Sequence, residues 1–380
     1  MTQEEAIRRE NRKLRAKEVK KMGRQKSFIC IDLKSFYASV ECVERGLDPF
    51  KTNLVVADPT RSQSTICLAI TPAMKKLGVK NRCRIHEIPA GIEYITAMPR
   101  MQLYIDYSAR IYSIYLRYIS KEDIHVYSID ECFMDVTNYL SLYHMTEKEM
   151  AVELMDAVMK ETGITATAGI GTNLYLAKVA MDIVAKHVED HIGILNEISY
   201  RQQLWDHRPL SDFWRIGSRT EKKLAGYGIH TMGDIAYTSV TSEEWLYKMF
   251  GIDAELLIDH DWGLESCDIH DIKNYHTEEH SLSNGQVLMR NYSFEEAAVV
   301  VREMTDVLVL DLVSKGLITG SITLWIAYDH RYERPSSHGT VRLTSLTNSS
   351  STIMDEVDKL YQKITDRYTG IRRIEVCATG

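Results

Sequence analysis

The chain has 380 residues, 44% of them hydrophobic and 26% charged, with a net charge of −7. This is a globular composition with material for two to four domains. No apolar run approaches the ~18 residues of a membrane span, and the charged N-terminus lacks the apolar stretch of a secretory signal. Seven cysteines, odd in number and without a C-x-x-C pair, argue against a disulfide framework or a structural zinc site and fit free thiols in a reducing, cytoplasmic setting.

Residues 1–26 carry ten Lys/Arg against four Glu, so this segment is +6 and the rest of the chain −13. It reads as a solvated polar arm, helical in pattern, with a DNA-touching arm as the sharper alternative. Any nucleic-acid surface elsewhere must be a local basic path on an acidic body. The first buried-strand pattern is 28–33, followed by helix-like sequence to about Arg45. Strand patterns at 53–57 and 66–70 flank a polar loop, and Pro72 opens a short helix that stops near Gly78. A tyrosine-rich helix is predicted over 102–120, its rings serving packing. Strands follow at 124–129 and 132–136, then a helix at 146–162, a strand at 166–170, and a helix at 173–187 capped by Asn173. The β-α-β-β-α-β order predicts an α+β, ferredoxin-like sheet with helices covering one face.

After residue 195 the pattern becomes short helices with glycine turns, including a helix–hairpin–helix around Gly217–Gly228. Residues 266–276 are polar and read as a linker. From 277 onward, strand patterns such as 320–328 alternate with helices at 294–315 and 350–368, which predicts a separate α+β unit.

Two acidic segments carry the chemistry. In Phe28-Ile-Cys-Ile-Asp32 and Tyr127-Ser-Ile-Asp130-Glu131, carboxylates sit at or near the end of a short apolar run. Burial there is costly unless the charge is paired or bound to a cation. Asp32, Asp130 and Glu131 delivered to one place would form a hard-oxygen site for Mg²⁺. Each motif alone is ordinary, and Asp135 reads as a turn residue. Phe36 and Tyr37 follow Asp32 closely. By spacing alone they read as core, or as an aromatic beneath a nucleotide that would clash with a ribose 2′-OH. Lys75 and Lys178 are ordinary surface lysines in isolation, or fixed charge for a triphosphate. The turn at Gly217 is a reasonable phosphate grip. His187 and His191 stand at i, i+4 without a third ligand and read as an exposed helix end.

Taken together, Ile31-Asp32-Leu33-Lys-Ser-Phe36-Tyr37-Ala-Ser-Val-Glu41, Tyr127-Ser-Ile-Asp130-Glu131, Gly169-Ile-Gly171-Thr-Asn173-Leu-Tyr-Leu-Ala-Lys178 and Arg215-Ile-Gly217 resemble the Y-family translesion DNA polymerases, in the bacterial UmuC/UvrX-like (ImpB/MucB/SamB) branch. The resemblance spans about 27–380. It implies a right-hand architecture with palm at 27–50 and 97–195, fingers at 51–96, a thumb with helix-hairpin-helix at 196–265, a linker at 266–276 and a little finger at 277–380. It implies a template-directed DNA polymerase acting in bypass of damaged DNA, as part of an SOS-type repair response. Two Mg²⁺ ions would be held by Asp32, Asp130, Glu131 and the Leu33 carbonyl. Phe36 and Tyr37 would cradle a deoxynucleoside triphosphate, with Tyr37 as steric gate. Lys75 and Lys178 would hold its phosphates, and Ile66 and Leu68 would cover the nascent base pair. Gly217, Ser218 and Arg219 would grip primed template DNA. The expected state is a monomer, with any sliding-clamp contact in a tail beyond Gly380.

Two features depart from the family pattern. Thr71-Pro72-Ala-Met74-Lys75 replaces the aromatic and arginine common in the fingers, and 277–380 carries 11 basic against 14 acidic residues. The competing readings are a catalytically weak accessory protein at damaged primer ends and a nucleotide cyclase on the same palm topology. The hairpin and C-terminal unit argue against the cyclase.

Overall fold

The computed structural model describes residues 26–276 and 281–380, so the basic arm expected over 1–26 lies outside the described residues except for Lys26. The chain divides into two compact units, one ending at Asn274 and one running from Tyr275 to Gly380. That division lies within the polar segment 266–276.

The first unit is built on a five-stranded sheet of order β5-β6-β1-β7-β8. Its strands are β1 (Phe28–Leu33), β5 (Ile124–Val126), β6 (Glu131–Asp135), β7 (Ala166–Gly171) and β8 (Ile192–Leu195). β1 is central and antiparallel to both β6 and β7, whereas β7 and β8 run parallel. As the middle strand it is buried nearly throughout, which is why it reads as a continuous apolar run. Its side chains alternate between two cores. Ile29 and Ile31 face the cluster containing Tyr115 and Leu154 of the helices Met101–Tyr115 and Glu147–Thr162. Phe28 and Cys30 face Leu174, Ala177 and Met181 on the opposite side. By the same alternation Asp32 shares the second face.

The segment over that face starts as the helix Leu174–Val179, with Asn173 accepting from the Leu176 N–H at 2.8 Å as an N-cap. It then widens into a π turn over Ala180–Val184, a form frequent at functional sites. Glycines let it lie directly on the sheet. A Cβ at Gly169 would sit 2.1 Å from the Ala177 carbonyl oxygen, and one at Gly171 would sit 2.2 Å from the Ala177 nitrogen.

A smaller sheet of order β3-β2-β4 joins β2 (Leu54–Val56), β3 (Ala69–Ile70) and β4 (Ile95–Ala97). The strand expected over 66–70 is shorter as a ladder, because Ile66 makes only a lone bridge to Arg84. After β8 come the helices Glu197–Leu204, Ser218–Ala225, Met232–Thr241, Glu243–Phe250 and Asp253–Asp261, around one core. The expected linker 266–276 is not free chain in its middle. It contains the helix Ile269–Asn274, whose Ile269 is buried in the cluster with Phe28 and Phe133, and Asp268 pairs with Lys26 at 2.5 Å.

The second unit is an antiparallel sheet of order β11-β10-β12-β9. It comprises β9 (Ser281–Tyr292), β10 (Thr319–Tyr328), β11 (Ser337–Thr347) and β12 (Ile371–Thr379). Ile322, Leu324 and Ile326 alternate into a core shared with the helices Phe294–Ser314 and Ser350–Ile364. Among the described residues no helix is long and apolar enough to cross a membrane. All seven cysteines are free thiols.

Candidate active site

The sheet register brings the acidic motifs together. Asp32 is the direct cross-strand partner of Glu131. Directly opposed residues have Cα atoms only about 4.5–5.5 Å apart. The Leu33 N–H donates to the Asp130 carbonyl at 3.0 Å, and the Tyr127 and Ser128 N–H groups both donate to the Glu131 carbonyl, closing the β5–β6 hairpin. Ser128 donates to Asp130 Oδ1 at 2.8 Å. The expected turn role of Asp135 holds, since it accepts from the Thr137 N–H at 3.0 Å.

Lys178 reaches this edge from the helix laid on the glycines. Its ammonium pairs with Glu131 and, at 2.9 Å, with Asp182 one helical turn on. It also lies 5.9 Å from the centroid of the Tyr127 ring. Burial pulls this ammonium down, but Asp182 and Glu131 outweigh that and hold it above the usual lysine range. Asp32 has the opposite problem. Burial first, then the charges of Asp130 and Glu131, push its carboxyl up to about 7. It accepts no hydrogen bond from any described residue. Glu131 is likewise raised, chiefly by burial.

The donor set fits a divalent cation. Asp32, Asp130, Glu131 and Asp182 are hard oxygen donors with carboxylate charge in excess of the one lysine paired among them. Among the described residues no three His, Cys, Asp or Glu side chains close on one point, and Glu131 pairs with Lys178.

Around Asp32 lies a second charge group. Lys34 and Lys75 both feel the Asp32 charge and each other, and Lys186 acts on Lys75. Shielding from water first, and neighbouring ammonium groups after it, lower the pKa of Lys34 and Lys75. Lys75 is an exposed residue, although its surroundings shield it enough from water to lower its pKa. None of these three lysines has a carboxylate ion pair among the described residues. Repelling ammonium groups beside an acidic edge favour a bound polyanion. Lys34, Asp182 and Lys186 were not singled out from the sequence. Asp182 carried a usable signal, its i, i+4 spacing from Lys178.

The aromatic pair separates. Phe36 is core, 2% exposed, and its ring lies 5.8 Å from Tyr37. Tyr37 is half-buried, feels the charges of Asp130 and Arg82, and stacks on Tyr104 at 4.4 Å. Ile66 and Leu68 are 47% and 44% exposed, alternating with buried Cys67 and Ala69. Gly217, Ser218 and Arg219 are exposed at the start of the helix Ser218–Ala225, and the space around Gly217 is open. His187 ends its helical segment and His191 follows in the turn before β8.

The fold and this acidic edge define a class. The impB/mucB/samB family matches residues 31–182, and its C-terminal domain matches 279–380. A "Putative UV-damage repair protein UvrX" of Bacillus subtilis is 33% identical over 306 residues, covering 80% of this chain and 71% of that protein. A "DNA polymerase IV 2" of the same organism is 29% identical over 351 residues, covering 91% and 82%. A solved structure titled "Y-family DNA polymerase chimera Dbh-Dpo4(243-245)-Dbh" superposes with a TM-score of 0.73 at 21% identity, covering 93% of this chain and 98% of that one. The chain belongs to the impB/mucB/samB family and has the fold of a Y-family DNA polymerase.

Proposed function

We propose that the protein is a template-directed DNA polymerase that adds deoxynucleotides to a primer 3′-OH during bypass of damaged DNA. The observation that carries this reading is the register pairing of Asp32 with Glu131 beside Asp130, with Lys178 locked onto the same edge. The palm would comprise 27–50 and 97–195, the fingers 51–96, the thumb 196–265 and the little finger 277–380.

Asp32, Asp130, Glu131 and the Leu33 carbonyl would hold two Mg²⁺ ions. Such ions, when bound, would supply Lewis-acid chemistry, lowering the pKa of the primer hydroxyl and offsetting charge on the leaving pyrophosphate. The residues do the rest. Lys178 and Lys75, with Lys34 and Lys186 beside them, orient the triphosphate and offset its charge. Lys178 is also paired with Asp182 at 2.9 Å, so its ammonium would keep a partner if Glu131 held a cation. Tyr37, which feels the Asp130 charge, would collide with a 2′-OH placed there. Ile66 and Leu68 offer an apolar surface to the base pair. The open N–H groups at Gly217–Arg219 suit a primer phosphate.

The reading is tested with purified protein, primed template, Mg²⁺ and one deoxynucleotide at a time. Incorporation follows the template base and stops on chelation. Replacing Tyr37 with Ala raises ribonucleotide incorporation relative to deoxyribonucleotide by on the order of 10-fold or more. Unchanged sugar selectivity removes the gate role from Tyr37.

A further inference from the structure

Two helices meet behind Tyr37, and each contributes residues four apart. Tyr37 and Glu41 lie on the helix Phe36–Val43. Arg100 is the N-cap residue of the helix Met101–Tyr115, and Tyr104 lies in its first turn. The pairs cross. The Tyr37 ring lies on the Tyr104 ring with planes 16° apart. The Tyr104 hydroxyl donates to Glu41 Oε1 at 2.8 Å. Arg100 donates to the same carboxylate twice, at 2.9 Å from Nε and 2.7 Å from Nη2. Arg45 donates to it as well, and also to the Glu41 backbone carbonyl at 2.8 Å. The Glu41 side chain is 0% exposed and takes four donors.

A carboxylate saturated in this way has one orientation, and a bidentate arginine adds directional hold. Tyr104 is therefore fixed at both ends, its ring by burial and its hydroxyl by Glu41. Its flat face then sets the plane of Tyr37. A ring that rejects one hydroxyl group must be held to within about 0.5 Å, because a looser ring yields to the larger sugar. The ion pair of Glu41 with Arg100 already ties the two helices together. The tyrosine hydroxyl adds a link that reaches the gate.

We propose that Glu41, anchored by Arg100 and Arg45, is a positioning residue for sugar selection, acting through Tyr104 on the plane of Tyr37. This inference rests on the polymerase reading and on the gate role of Tyr37.

The test compares wild type with Glu41→Gln, Tyr104→Phe, Tyr104→Leu and Tyr37→Ala. Each protein's thermal midpoint is measured first, and kinetics are run well below the lowest. The readout is the ratio of kcat/KM for a deoxynucleotide to that for the matching ribonucleotide opposite one template base. Glu41→Gln and Tyr104→Phe lower this ratio about 5- to 10-fold through faster ribonucleotide use, and Tyr104→Leu lowers it further. Tyr104→Phe keeps the ring and the fold, so it reports the hydroxyl link even where Glu41→Gln is too unstable to assay. If Tyr37→Ala relaxes selection while both Tyr104 variants keep the wild-type ratio, the inference is overturned and the gate stands. A folded wild-type protein that copies no template overturns the polymerase reading and the inference with it. A lowered thermal midpoint with both sugars slowed equally marks Glu41 as structural only, and also overturns it.

Discussion

Asp130→Ala and Glu131→Ala each lower nucleotide incorporation by on the order of 10²-fold or more, and neither lowers the thermal midpoint substantially. The two halves of this expectation come from the same electrostatics. Asp32, Asp130 and Glu131 repel one another, which is part of why the Asp32 carboxyl is pushed up to about 7. Removing one relieves that repulsion in the ion-free protein. Lys178 is not orphaned by Glu131→Ala, since Asp182 still pairs with it at 2.9 Å. A purely structural ion pair would behave in the opposite way, because loss of one partner leaves a buried charge unpaired and destabilises the fold. Primer extension and thermal melting on the same preparations separate the two outcomes. Near wild-type extension by either variant removes it from the catalytic set.

Gly169→Ala is expected to be the most damaging single methyl group in the first unit. The added carbon would lie 2.1 Å from the Ala177 oxygen and 2.6 Å from the Met181 Cβ. Backbone on both sides leaves no flexible side chain to move, so the segment 174–184 must lift off the sheet. Overpacking of this kind costs about 3 kcal/mol or more, a fall in thermal midpoint on the order of 10 °C. Any protein that still folds carries Lys178 away from Glu131. Incorporation then drops with a raised KM for the nucleotide. Gly217→Ala serves as the contrast, since nothing lies within 4 Å of a Cβ there, and its midpoint stays at the wild-type value.

The Glu41 cluster gives a pH signature of its own. Burial alone would raise this carboxyl, but hydrogen bonds from Arg100, Arg45 and Tyr104 hold it below the usual glutamate value of 4.5. A carboxylate depressed on folding stabilises the protein above the unfolded pKa, and that contribution is lost as pH falls through the folded one. Wild type should therefore melt higher than Glu41→Gln at pH 7, by about 2 kcal/mol of stability. The gap should close progressively below about pH 4.5. A gap independent of pH contradicts the assigned ion pairs. The partly exposed Arg45 and Arg100 keep the figure below that of a fully buried pair.

Much of this architecture was legible in the sequence for identifiable reasons. Strand β1 is central and covered on both faces, so it appears as an unbroken apolar run with one acid near its end. Asn173 announced a helix start and serves as its cap. The change to a separate α+β unit was visible because residues 266–276 are polar, although Ile269 and Ile272, three apart, already marked one side of a short docked helix. Other features depend on distant partners. Glu41 looks like one more acid on a helix until Arg100 and Tyr104 arrive from some sixty residues away. Lys75 and Lys186 look like separate surface lysines, and only the fold brings Lys75 within reach of the Asp32 charge and Lys186 within reach of Lys75. Phe36 and Tyr37 are adjacent in sequence and alike in type. Their different fates, core and site edge, follow from helix rotation.

Sharing of divalent cations between a bound nucleotide and Asp32, Asp130 and Glu131 is open to direct measurement. Electron paramagnetic resonance of Mn²⁺ titrated into the protein with primed DNA and a deoxynucleotide measures this directly. Wild type takes up about two ions per chain, and Asp32→Asn, which keeps the side-chain shape, loses at least one of them or weakens it by on the order of 10-fold. Equal uptake and affinity in wild type and Asp32→Asn would rule out Asp32 as a metal-holding residue.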